Sequence, residues 1–105
     1  MDVGLDFSFD FRRMMYVYIL TNNSRNVFYT GVTNDLKRRV REHEKQRGLP
    51  QTFTGRYYCY KLVYYEEFES AVDAIARETE IKSWSRARKL ELIKKRNPKM
   101  VFYRV

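Results

Sequence analysis

The spacing of apolar residues changes several times along the chain, and each change predicts an element. Residues 16–20, Tyr-Val-Tyr-Ile-Leu, are apolar or aromatic throughout. Such a run predicts a strand covered on both faces. Thr21-Asn22-Asn23-Ser24-Arg25-Asn26 is turn chemistry, and residues 27–32, Val-Phe-Tyr-Thr-Gly-Val, resume as a second strand. Together they read as a hairpin. The apolar spacing then lengthens to i, i+4 at Leu36 and Val40, which predicts a helix. Thr33 or Asn34 can cap it, and it is expected from Asp35 to Gln46, ahead of Gly48-Leu49-Pro50. A polar loop follows, and residues 58–66 predict a third strand. Ser70 with Asp73 resembles a capping box opening a helix that reaches Trp84. Ser85 caps a last helix ending before Asn97-Pro98, because the residue preceding proline is pushed out of helical geometry.

The order β-β-α-β-α-α predicts an α/β fold of the α+β type. Its expected architecture is a three-stranded, mainly antiparallel sheet flanked by helices. A chain of 105 residues has room for one domain with one core. Residues 1–13 lack a period and read as a leader outside the domain, with Met14 or Met15 as alternative starts. Residues 14–98 form the domain and 99–105 a C-terminal tail.

Charge narrows the partners. Lys and Arg number 21 against 13 Asp and Glu, a formal net charge of +8. The surplus is clustered, at Lys37, Arg38, Arg39, Arg41, Lys45 and Arg47 and again from Lys82 to Lys99. That pattern points to a polyanion such as nucleic acid. No apolar run approaches the ~20 residues of a membrane span, so no membrane partner is expected. Cys59 is the only cysteine, which excludes an intrachain disulfide and a paired-cysteine zinc site and fits a reducing, cytoplasmic setting.

Some residues could carry chemistry. If the hairpin turns at Asn23-Ser24, Tyr18 faces Tyr29 directly on one sheet face; a longer loop would break that pairing. Gly31 follows, and a glycine inside a strand often marks a close approach. Tyrosines on strands are usually core, so the two phenols alone say little. On the first helix Arg39 and His43 are i, i+4 and flank the apolar stripe, while Lys37, Arg38 and Arg41 project elsewhere. A lone His is more often ordinary than catalytic. On the next helix Ala71, Ala74, Ile75 and Ile81 share an arc that includes Glu78, whereas Glu80 points to solvent. A carboxylate on a packed face needs a partner or a metal, and Lys82 at i+4 is the ordinary partner. A Gly-rich phosphate loop and clustered carboxylates are both absent.

Taken together these positions resemble the GIY-YIG nuclease superfamily, most closely its small single-domain bacterial members. Tyr16-Val17-Tyr18 matches the first signature and Tyr29-Thr30-Gly31 the second. The family arginine falls on Arg39 with His43 one turn later, the glutamate on Glu78 and the late asparagine on Asn97. Tyr16 replaces the usual first glycine, and Lys99-Met100-Val101-Phe102-Tyr103-Arg104-Val105 replaces the usual Trp-x-Asp-Leu ending.

The resemblance implies phosphodiester hydrolysis in nucleic acid, DNA rather than RNA, with one divalent metal, Mg²⁺ or Mn²⁺, on Glu78. Arg39 would hold the phosphate and Tyr18 or Tyr29 would take a proton from the attacking water, helped by His43. Lys37, Arg38, Arg41 and Asn97 would contact the nucleic acid. In this reading Glu78 is unpaired without metal. Small members lack an added DNA-binding domain, so a protein partner could supply specificity. The competing readings are a non-catalytic basic module for DNA or RNA, and a scaffold in which Glu78 merely pairs with Lys82 or Arg39.

Overall fold

The fold is a computed structural model describing residues 14–105; the leader expected at 1–13 lies outside the described residues. The elements are β1 (Met15–Thr21), β2 (Phe28–Thr33), α1 (Leu36–Lys45), α2 (Phe53–Arg56), β3 (Lys61–Phe68), α3 (Ala71–Lys82) and α4 (Arg86–Arg96). The strands form one antiparallel sheet in the order β2-β1-β3. The α+β architecture expected from the sequence is therefore the one observed, with one addition. Residues 53–56, expected as loop, form the short helix α2, capped by Thr52, whose hydroxyl accepts from Gly55 N. β3 accordingly begins at Lys61 rather than at position 58.

β1 is central and divides its side chains between two layers. Val17 and Ile19 pack with Val63, Ala74, Ile81 and Ile93 beneath α3 and α4. Tyr18 and Leu20 pack with Leu36, Leu62 and Cys59 on the α1 side. Both faces of the central strand are thus covered, which is why β1 is apolar throughout.

The helix starts follow local chemistry. Ser70 accepts from Asp73 N at 3.2 Å and Ser85 from Arg88 N at 3.2 Å. The cap of α1 is Asp35, which accepts from Arg38 N at 3.1 Å, and not Thr33 or Asn34. Thr33 Oγ1 instead accepts from Asp35 N at 3.1 Å and shapes the turn into the helix. On α3, Ile75 is 40% exposed and leaves the core arc to Ala74 and Ile81.

The C-terminal tail closes the free edge of β3. Tyr103 N donates to Leu62 O at 2.7 Å, and Arg96 Nη1 donates to Tyr65 O at 2.9 Å. Asn97 is 4% exposed. Its Nδ2 donates to Val63 O at 2.9 Å and Val101 O at 3.0 Å, while its Oδ1 accepts from Val101 N at 3.1 Å. Asn97, expected to contact nucleic acid, has both ends of its amide engaged within the fold. It pins the tail across an edge strand that would otherwise expose unpaired backbone groups. Among the described residues no helix is long and apolar enough to cross a membrane.

Candidate active site

The β1–β2 loop sets the geometry. It is longer than the two-residue turn at Asn23-Ser24 that would oppose Tyr18 to Tyr29. Thr21 pairs with Phe28, Arg25 takes a left-handed conformation with φ 58°, and Asn22 Oδ1 accepts from Asn26 N at 3.0 Å. Tyr18 consequently opposes Gly31, and Tyr29 opposes Leu20. The register moves by an even step, so both tyrosines stay on one face as diagonal neighbours. Their ring centroids are 6.3 Å apart.

Gly31 has a steric role. A Cβ there would lie 2.5 Å from Tyr18 Cζ and would collide with the hydroxyl. The missing side chain lets the Tyr18 ring lie flat across β2, which aims its hydroxyl past the strand.

That hydroxyl ends among cationic and imidazole groups. Tyr18 is 1% exposed, and its Oη is 2.9 Å from His43 Nε2. His43, on α1, is 2% exposed, and its Nδ1 is 3.1 Å from Thr54 Oγ1 on α2. Arg39, one turn earlier, donates to Glu42 Oε1 at 2.9 Å and lies near enough for its charge to favour the Tyr18 phenolate. Burial, then Tyr29, push the Tyr18 phenol above its ordinary value, while Arg39 pulls it back. Thr54 was invisible in the sequence because it sits in a stretch read as loop. Its only signal was Thr52 three residues before Gly55, a capping spacing.

His43 titrates anomalously. Burial, followed by the charge on Arg39, lowers it to about 4. The unfolded chain holds this proton from its ordinary value of ~6.5 downward, whereas the folded chain takes it up only near 4. Stability contributed here is complete above the ordinary value and is lost as pH falls toward 4. The chain has one histidine, so its imidazole NMR signals can be followed without ambiguity. They are expected to stay those of the neutral ring at pH 5.5; an imidazolium spectrum there would contradict the buried placement.

Tyr29 is half-buried and forms the outward wall. Its ring centroid is 5.5 Å from His43 and 6.2 Å from Phe53. From the opposite layer, α3 brings Glu78 near enough for its charge to disfavour the Tyr18 phenolate. Glu78 is not unpaired. Its Oε2 lies 2.8 Å from Lys82 Nζ, with side-chain exposures of 13% and 51% respectively. Glu80 is 54% exposed and pairs with Arg77 at 2.8 Å. No three His, Cys, Asp or Glu gather as a metal cluster among the described residues. A single poorly exposed carboxylate still suits a hard cation that keeps most of its waters. The Lys82 ammonium already stands as a cation against that carboxylate, and its exposed stem can swing away.

The other basic residues of α1 are placed differently. Arg38 lies 4.0 Å from Asp35 and 3.9 Å from Glu42. Lys37 and Arg41 sit roughly half a turn around the helix from Arg39. Lys37 lines a hollow with Tyr16, Tyr65 and Arg96, and Arg41 lines another with Tyr60 and Lys61. Arg39 and His43 converge on the tyrosines; Lys37 and Arg41 do not.

Comparison with known proteins finds relatives that share most of the chain. A family model described as the GIY-YIG catalytic domain matches residues 14–91. A UPF0213 protein of Haloquadratum walsbyi is 43% identical over 77 residues, covering 73% of this chain and 83% of that one. A UPF0213 protein of Staphylococcus haemolyticus is 41% identical over 81 residues, covering 77% and 95%. The solution NMR structure of a UPF0213 protein from Bacillus halodurans matches with a TM-score of 0.51 and 32% identity, covering 80% of this chain and 86% of that one.

Proposed function

The chain belongs to the GIY-YIG family, a family of nuclease domains, and from that premise we propose that it is a metal-dependent endonuclease hydrolysing phosphodiester bonds, in DNA rather than RNA. One observation carries the reading. A single phenol, Tyr18, is held between Arg39 and His43 with Glu78 close by. No structural need of a core tyrosine calls for that combination.

Each side chain then has a role. Arg39 holds the scissile phosphate, its guanidinium fork suiting paired oxygens. Tyr18 accepts the proton of the attacking water while its own proton passes to His43 Nε2. The tautomer that permits this carries its proton on Nδ1 and donates it to Thr54 Oγ1, which fits the observed contacts. A phosphate on Arg39 also cancels the charge that, after burial, disfavours the imidazolium. The water oxygen bonds to phosphorus as the ester oxygen leaves. Tyr29 walls the site. Glu78 would hold the divalent ion, Mg²⁺ or Mn²⁺, which when bound supplies charge neutralisation on the phosphate and leaving oxygen. Arg38 would meet the backbone beside the site, and Lys37 and Arg41 would meet it further along the strand.

The non-catalytic module is favoured by one observation, the Glu78–Lys82 pair, which is complete without a metal. Supercoiled plasmid with Mg²⁺ or Mn²⁺ is expected to be nicked, and excess chelator is expected to stop the reaction. Loss of all cleavage on duplex, branched, single-stranded and RNA substrates with either ion would favour the module.

A further inference from the structure

The exposed aromatics are not scattered. Among the described residues Phe53 at 47%, Tyr57 at 43% and Tyr58 at 53% are the aromatic side chains classed as exposed, and all lie within positions 53–58. Phe53 and Tyr57 have centroids 4.8 Å apart. Phe53 also faces the Tyr29 ring at 6.2 Å, with planes inclined by 29°. A row of rings therefore runs His43, Tyr29, Phe53, Tyr57 from the buried end of the site to the surface.

The shelf is rigidly mounted. Thr54, adjacent to Phe53, is buried against His43. Gly55 is buried so closely that a Cβ would lie 2.5 Å from Gln46 O. Gly48 N donates to Gly55 O and Cys59 N to Thr54 O, each at 2.8 Å. Arg56 and Arg47 are exposed alongside. A folding defect would not choose this position, since α2 is tied down on its inner side and apolar on its outer side.

We propose that this shelf stacks an unpaired base next to the scissile phosphate, so that the substrate strand is single-stranded or frayed at the cut. The argument rests on the nuclease reading for what lies at the inner end of the row. In continuous duplex the base faces are covered by their neighbours, and only edges and phosphates are offered to a protein. Exposed ring faces with exposed Arg56 on the same helix suit the other form, where each base presents a free π-face and the backbone supplies charge. A protein partner would also cover apolar rings, but it would have no need of a row that starts at a buried imidazole.

The test uses binding without metal, so that it does not depend on cleavage. A fluorescent oligothymidylate and the same strand with abasic residues carry equal phosphate charge and differ only in bases. Wild-type protein in chelator is expected to bind the abasic strand about tenfold more weakly for each stacked base lost. The Phe53→Ala/Tyr57→Ala double variant is expected to bind both strands alike, and Phe53→Trp to restore the difference. Equal binding of the two strands by wild type would overturn the inference, as would a base preference that survives the double variant. Plasmid nicking by the same wild-type preparation reports separately on the nuclease reading, since an active enzyme blind to bases would defeat only the shelf. Both alanines replace exposed rings, and circular dichroism of the variant verifies that the fold is intact.

Discussion

Tyr18→Phe is expected to reduce cleavage by about 10²- to 10⁴-fold, the range for removing a general base. The ring stays, and at 1% exposure it continues to fill the space over Gly31. What disappears is the atom that bonds His43 and feels the charge of Arg39. His43 Nε2 is left buried without its partner, so the variant is expected to lose about 1–3 kcal/mol of stability. Tyr29→Phe is the comparison, because it removes a hydroxyl from the same wall and is expected to cost less activity. Single-turnover cleavage with saturating metal distinguishes the two. Wild-type rates from Tyr18→Phe would remove the phenol from the proton transfer. Equal losses from both variants would show that the register does not assign the role.

Glu78→Gln is expected to reduce cleavage by about a thousandfold or more, since a metal held at the phosphate contributes several kcal/mol. Stability answers a different question. Read from sequence, an unpaired carboxylate on a packed face would make this change neutral or stabilising, and a buried ion pair would make it cost roughly 3–5 kcal/mol. The structure supports neither. Lys82 is 51% exposed and solvates itself when its partner leaves. The loss is expected to be about 0–1 kcal/mol, as for surface pairs. Affinity for DNA in chelator is expected to hold or rise, because one negative charge leaves a phosphate-binding face. Thermal unfolding, chelator-phase binding and plasmid nicking on this one variant thus separate enzyme from scaffold. A large drop in melting temperature with cleavage retained would favour the scaffold.

The legible parts of this protein were those written in short-range chemistry. An apolar run at 16–20 dictated a strand covered on both faces, and Ser70 and Ser85 dictated helix starts, because caps and periods act within a few residues. The i, i+4 spacing of Arg39 and His43 placed both on one flank of α1 for the same reason. Signature residues spread over β1, β2, α1 and α3 could be matched in order without knowing how they meet.

Only the tertiary structure decided what each side chain touches. The β1–β2 loop runs over 22–27, where several consecutive turn-forming residues leave the turn's exact position open. The register therefore put Gly31, and not Tyr29, opposite Tyr18. Asn97 sits in a matching place in the sequence, yet three hydrogen bonds across β3 and the tail consume its amide. Glu78 was recognisable as a carboxylate on a packed face, but whether it stands alone depends on the rotamer and solvent exposure of Lys82. Thr54 and Phe53 join the site through a fold-back of α2 onto α1, a contact no local pattern encodes. Sequence determined the three strands, the three longer helices and the candidate groups they carry, since these follow from period and residue type. Register, pairing and burial are long-range and were settled by packing.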